Sequence, residues 1–586
     1  MNYNLNDISP QQQKTSTLRA LQKLLRLITE ERRTMLLALV AILANSGLNL
    51  LAPFIIGHVI DTYVVHKNFH GVMVWAGILL GMYMVAFVAS YLQTRMMGGV
   101  GQRMLFKLRN TIFNKLQELP VGFFNQNKAG DLISRVNNDT DKINQFFSQS
   151  LMQFIGTIVS MTGAAIFLLA INFKLGVATL LPGLLIFFIT KVSSPWIKKR
   201  NALSMQRTGG LSAEIQESLH NFKVIIAFNR RDYFRNRFED ANNKNYTSAL
   251  SAGIANNVFI PVYGFFAAVA QLVVLSFGIY LISTSQFSIG LLVSYLAYAV
   301  NFYNPLRQLA ALWANFQVAM AGWDRISYIL SKESNLPLLP AIVDETRSDA
   351  IMEFKNVSFG YDEGKEILHN INFTLQPGKT YALVGPTGGG KTTTASLIAR
   401  LYDPVKGQVL LDNKDIRTYE PSERADKIGF ILQEPFLFSG TVKENILYSN
   451  EHYTGYSNAQ LEDTIKEAGL QSLLNIFEKG LDTEVNSGDT ISLGQKQLIA
   501  FMRAVLRNPA LLILDEATAN IDTITEQILQ EILNKLPPTT TRVIIAHRLN
   551  TIQNADEIFF VNAGEVIRAG SFDHAVNMLL HGDRQS

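Results

Sequence analysis

The stretch YALVGPTGGGKTTTASLIARL, residues 381–401, decides how the C-terminal half of this chain is read. A short apolar run leads into a glycine-rich loop, and a run of helix-forming residues follows. The segment from Gly385 to Thr392 has phosphate-loop spacing, with Pro386 and Thr387 before the glycines and Thr393 after. Gly388, Gly389 and Gly390 let backbone N–H groups come close to phosphate oxygens, and the helix start adds the positive end of its dipole. Lys391 neutralises β- and γ-phosphate charge, and Thr392 offers a hydroxyl to Mg²⁺. A strand before the loop and a helix after it are what this chemistry requires.

Working outward, ALLILDEATANID (510–522) is a buried-strand pattern that delivers Asp515 to its end, where a carboxylate can join a Mg²⁺ shell. Glu516 follows at once and is placed to polarise an attacking water. A further strand runs into IIAHRLNT (544–551), which carries His547. With IMEFKNVSFGY as an additional strand, and TRVIIAHR as the one that carries His547, residues 351–586 read as an α/β domain with a mainly parallel core. Pro337 and Pro340 mark a linker, 326–350.

The half before it has a different character. Of 586 residues, 48% are hydrophobic and only 17% charged, against roughly 25% charged in an ordinary soluble chain. Six apolar segments, roughly 35–62, 72–97, 150–171, 175–195, 255–283 and 287–310, each reach the length needed to cross a bilayer. Residues 35–325 therefore read as a six-span membrane domain. Residues 1–34 form a polar tail without a cleavable signal, followed by a segment with Leu18, Leu21, Leu24, Leu25 and Ile28 at helical spacing, an interfacial helix or an ordinary surface helix. Basic residues crowd the segment before span one and the connections 2–3 and 4–5, while the opposite loops hold Lys67, Lys174 and none in STSQFS. Both termini are thus expected in the cytoplasm. The two long connections are helix-forming, with turns expected in 120–143 and 208–228. A net charge of +4 gives no footprint for nucleic acid, and the absence of cysteine excludes disulfides and thiolate metal sites.

The whole chain resembles the ATP-binding cassette exporters, six spans fused to one nucleotide-binding domain, with seven motifs in order. The resemblance implies ATP and Mg²⁺ as cofactors. It implies that Tyr361 in VSFGYDEG stacks on adenine, that Gln433 in FILQEPFLFSG contacts Mg²⁺ and the cytoplasmic turns, that His547 contacts the γ-phosphate, and that Asp522 communicates between two ATP sites. It also explains GDTISLGQKQ (488–497), a second phosphate-gripping helix start. In this family two cassettes dimerise head to tail, so Ser492, Leu493, Gly494 and Gln495 face the partner's ATP.

Leu493 stands where the family has glycine, and TEVNSGD replaces the usual Gly-Glu-Arg-Gly run after Thr-Glu-Val, while every motif for the chain's own nucleotide is intact. That asymmetry implies the catalytic-glutamate-bearing half of a heterodimer; a homodimer that tolerates one leucine is the alternative. The expected activity is ATP-driven export of hydrophobic or amphipathic compounds across a bacterial cytoplasmic membrane by alternating access. A lipid or lipid-linked glycan flippase, or an ATP-gated channel or regulatory subunit, stand as other readings. A peptide exporter is disfavoured, since no protease domain fits before residue 35. Phe259, Tyr263, Phe265, Phe266, Gln271, Tyr295, Tyr298, Asn301 and Tyr303 are either cavity-lining or plain packing residues. No central span carries Asp or Glu, and Asp61 sits at an outer end, so ATP is the expected energy source.

Overall fold

A backbone in hydrocarbon must satisfy its own N–H and C=O groups, so the apolar segments have to fold as helices. The computed structural model describes residues 3, 5, 31–340, 348–362, 364–485, 491–515, 523–545, 553–570 and 572–581. The chain divides into two compact units. One is Ile8–Leu116 with Gly130–Leu330; the other is Met1–Asp7, Gln117–Ala129 and Ser331–Ser586.

The first unit is helical. Phe69–Glu118 has 50 residues, Phe173–His220 has 48 and Ile289–Leu330 has 42. At 1.5 Å per residue a 50-residue helix runs about 75 Å, more than twice a hydrocarbon core of about 30 Å. The polar connections therefore continue the apolar helices instead of looping. Among the described residues five helical stretches are long and apolar enough to cross a membrane: Arg32–Val64, Phe69–Glu118, Ala129–Ile171, Phe173–His220 and Arg231–Ser283.

The sixth expected span, 287–310, falls in the continuous helix Ile289–Leu330 but is not among those five. Tyr295, Tyr298, Asn301, Tyr303 and Asn304 dilute its apolarity. The tyrosines are packing residues. Their hydroxyls donate to the carbonyls of Leu168, Leu50 and Thr179 respectively, each at 2.6 Å, and all three rings are buried. A cavity role for these three is thereby set aside, and they bolt this helix to three others. Asp61 does related work at the helix start. Its Oδ1 accepts the Gly290 N–H at 2.8 Å and its Oδ2 accepts the Ser288 hydroxyl at 2.5 Å, satisfying a donor that a helix N-terminus leaves open.

Two buried charges tie the segment after residue 129 to the far end of Ile289–Leu330. Arg135 donates to Asp131 at 2.9 Å and to the Arg325 carbonyl at 3.0 Å, and Arg325 reaches Asp131 at 2.7 Å and Asp139 at 3.3 Å. The Arg135 and Asp139 side chains are only 3% and 1% exposed. Removing one partner of a buried cluster strands the others, so Arg135→Ala should cost about 3–5 kcal/mol of stability. A thermal unfolding midpoint in detergent equal to that of the wild type would contradict this.

The second unit is built on sheets. A six-stranded sheet runs in the order Glu565–Arg568, Glu557–Asn562, Thr380–Val384, Thr541–Ile545, Leu511–Asp515, Ile428–Ile431, parallel except at its first pair. Alternate residues of its central strands enter different cores. Ala382, Leu512, Leu514 and Ile544 pack on one face, and Tyr381, Leu383, Ile513 and Val543 on the other. Both faces are covered, as a parallel sheet requires. A four-stranded antiparallel sheet, Leu368–Leu375, Met352–Phe359, Lys406–Leu411 and Lys414–Asp415, flanks it.

Two outlying pieces of chain belong to this unit. The linker is pinned where Arg400 donates to the Pro337 carbonyl at 2.8 Å and Leu339 N–H to the Arg417 carbonyl at 2.9 Å. The short helix Val121–Gln126, one of the two expected turns, packs here too. Its end is held by the N-terminal residues: Asn127 Oδ1 accepts the Leu5 N–H at 2.9 Å, and Gln126 Oε1 accepts the Tyr3 N–H. The other turn is Phe222–Ala227, in the helical unit. It lies inside the expected 208–228, whose first residues, 208–220, are the last turns of Phe173–His220.

Candidate nucleotide site

The site forms where parallel strands end. Register aligns Ile545 with Asp515 on one side and with Leu383 on the other, so the strand before the phosphate loop and the strands ending at Asp515 and Ile545 finish at the same sheet edge. Open α/β sheets bind ligands at such carboxyl ends. Gly385 turns the chain with φ +146°, and a Cβ there would collide with the Val561 carbonyl. Gly390, at φ +115°, stands immediately before the helix Lys391–Ile398. Both positions need glycine.

Lys391 is 5% exposed, and its Nζ donates to the carbonyls of Gly385 at 2.8 Å and Pro386 at 3.0 Å. The ammonium is thus held inside the loop it would share with phosphate oxygens. Thr392 Oγ1 lies 3.5 Å from Asp515 Oδ1, and Asp515 is 4% exposed. One hydroxyl and one buried carboxylate, both hard oxygen donors, fit the protein's share of a Mg²⁺ shell completed by phosphate and water. Among the described residues no group of three His, Cys, Asp or Glu is placed to hold a metal ion.

Tyr361 stands beside the loop. Its hydroxyl lies 3.2 Å from Thr393 Oγ1 and the residue is 40% exposed. Gln433 accepts at its carbonyl from Gln497 Nε2 at 3.2 Å. That bond links it to the helix Leu493–Val505, which Ser492 caps: Ser492 Oγ accepts the Gln495 N–H, and Gln495 Oε1 accepts the Ser492 N–H. Leu493 opens that helix with 36% of its surface exposed.

The structure therefore brings Tyr361, the loop Gly385–Pro386–Thr387–Gly388–Gly389–Gly390, Lys391, Thr392, Thr393 and Asp515 together, and joins Gln433 to the signature helix. Glu516, Asp522 and His547 lie outside the described residues, as do residues 486–490 before the signature.

The sequence reading missed Arg503. From the signature helix it donates to the carbonyls of Asn445 at 2.8 Å and Phe436 at 3.2 Å, with its guanidinium 5.5 Å from the Tyr448 ring centroid. Burial pulls its pKa down from the ordinary arginine value. Arg503 and Gln497 together clamp the segment after Gln433 onto the signature helix. No local pattern announces it, since its partners lie 58 and 67 residues away.

Comparison with known proteins agrees with this geometry. The ABC transporter transmembrane region family matches residues 35–306, and the ABC transporter family matches residues 368–519. The Bacillus subtilis ABC transporter ATP-binding protein YfiC is 34% identical over 95% of this chain and 92% of its own length. The probable multidrug resistance ABC transporter ATP-binding/permease protein YheH of the same organism is 31% identical over 86% of this chain and 74% of its own. The ATP-dependent lipid A-core flippase of Syntrophus aciditrophicus is 29% identical over 94% and 91%. A membrane-integral helical unit joined to an ATP-hydrolysing cassette, matched over most of its length by such relatives, makes this chain a member of the ATP-binding cassette exporters, and a half-transporter among them.

Proposed function

We propose that this chain exports hydrophobic or amphipathic compounds across a bacterial cytoplasmic membrane, with both termini in the cytoplasm, as the catalytic-glutamate-bearing half of a heterodimer. The observation that carries the heterodimer is the contrast within one cassette. Lys391, Thr392 and Asp515 are assembled for the chain's own nucleotide, while Leu493 opens the helix meant for the partner's. The multidrug name of YheH supports an amphipathic cargo. A lipid cargo is the second reading, supported by the lipid A-core flippase that matches 94% of this chain.

Phosphoryl transfer asks for positioning and charge stabilisation more than covalent chemistry. Lys391 draws charge from the β- and γ-phosphates, and Tyr361 orients the base. Thr392, Asp515 and Gln433 would hold Mg²⁺, which supplies further neutralisation of the phosphates. Glu516 orients the attacking water and takes its proton; His547 steadies the γ-phosphate. Ser492 and the backbone at Gly494 perform the same service for the partner's ATP. Closure of two cassettes over two ATP turns the membrane cavity outward, and hydrolysis resets it.

The test is to purify the chain alone and with the product of its chromosomal neighbour, then measure ATPase and transport of an amphipathic dye and of a fluorescent lipid in liposomes. Fast turnover from one site per pair, with dye moved, is the expected result. A homodimer with two equivalent, fully active sites sinks the heterodimer, and lipid movement without dye movement selects the second reading.

A further inference from the structure

Tyr402 is absorbed by none of the motifs above, yet it touches two things of consequence. Its ring meets Tyr361 edge to face, centroids 5.1 Å apart at 80°. Phe359 closes the cluster, 5.0 Å from Tyr361 and 5.5 Å from Tyr402. The Tyr402 hydroxyl accepts from Asn125 Nδ2 at 2.7 Å, and Asn125 sits on the short helix Val121–Gln126. Gly122 of the same helix lies alongside, where a Cβ would be 3.4 Å from the Tyr402 ring. All these residues belong to one compact unit. Burial pushes the Tyr402 phenol up from its ordinary value, so it stays neutral and keeps its hydrogen.

We infer that Tyr402 is a positioning residue that carries occupancy of the adenine face of Tyr361 to the turn 121–126. The inference rests on the reading of Tyr361 as the base-stacking residue. Edge-to-face aromatic pairs fix each other's orientation. A base on the open face of Tyr361 restricts that ring, the restriction passes to Tyr402 through their contact, and the hydroxyl delivers it to Asn125. Ring and hydroxyl then have separable tasks. The ring supports Tyr361 and so affects nucleotide affinity; the hydroxyl affects only what the turn senses.

Hydrogen exchange of the 120–127 amides, with and without ATP, reads this directly in the full chain with whatever subunit copurifies, in lipid nanodiscs. In the wild type, ATP is expected to slow exchange there by about fivefold or more, the low end of ordinary coupling between sites. Tyr402→Phe and Asn125→Ala should each abolish that slowing while leaving the KM for ATP within about twofold. The double variant should be no worse than either single one, because both remove the same bond. Tyr402→Ala should also raise the KM for ATP. No ATP-dependent slowing in the wild type, or full slowing in Tyr402→Phe, overturns the inference. Tyr361→Ala is read separately: an unchanged KM for ATP there overturns the base-stacking assignment, whereas a raised KM together with unaltered slowing in Tyr402→Phe overturns only the role of Tyr402.

Discussion

Lys391→Ala is expected to lower ATP hydrolysis by about 10²–10³-fold, the usual cost of removing one preplaced donor from a developing anion, and to weaken nucleotide binding at the same time. The ammonium is buried and anchored on the Gly385 and Pro386 carbonyls, inside the loop proposed to hold the phosphates. Alanine leaves those carbonyls without that donor and the β- and γ-phosphate charge less compensated. Lys391→Arg should fare little better, because a planar guanidinium does not fit a pocket shaped around a compact ammonium. Titration with a fluorescent ATP analogue and steady-state ATPase check this, with circular dichroism confirming that the variant folds. Affinity and turnover both within about twofold of wild type would remove Lys391 from the phosphate site.

The phosphate loop was legible because its chemistry is local. A strand, three consecutive glycines, a lysine and a threonine within one short stretch fix both the turn and the donors, and Asp515 needed only a strand end. Leu493 was legible for the same reason, as one residue in a short motif. What escaped depends on contacts between distant residues. Tyr402 and Asn125 are 277 positions apart, and Arg135 meets the Arg325 carbonyl across 190. No periodicity encodes such pairs.

The second turn falls within the expected 208–228, but Gly209 and Gly210 at the start of that range are not part of it. They sit instead inside Phe173–His220, with open space where each Cβ would be. Each glycine costs a helix about 1 kcal/mol, which a 48-residue helix packed against its neighbours absorbs. The last long helix shows the converse. Hydropathy sees only the loss of apolarity that Tyr295, Tyr298 and Tyr303 bring, and cannot see that each hydroxyl is satisfied by a carbonyl of another helix.

Glu516→Gln tests the chemical step itself. The substitution keeps size and polarity but removes the carboxylate proposed to take a proton from the attacking water, a contribution typically worth about 10²–10⁴-fold. Hydrolysis should fall by that factor while ATP affinity stays near wild type, because Lys391, Thr392 and Asp515 are untouched. This split separates Glu516 from Lys391, whose loss should damage binding as well. In a heterodimer the effect has a further signature. If the site completed by Leu493 holds ATP without hydrolysing it, Glu516→Gln in this chain alone should silence nearly all turnover of the pair, leaving both sites loaded. Leu493→Gly alone should then create no second fast site when the partner also lacks its carboxylate, since closer approach of donors cannot replace a missing base. Single-turnover measurements that count nucleotide retained and hydrolysed per dimer resolve these cases. Half of wild-type turnover surviving in the Glu516→Gln pair would mean two competent sites, and the asymmetry read from Leu493 would be wrong.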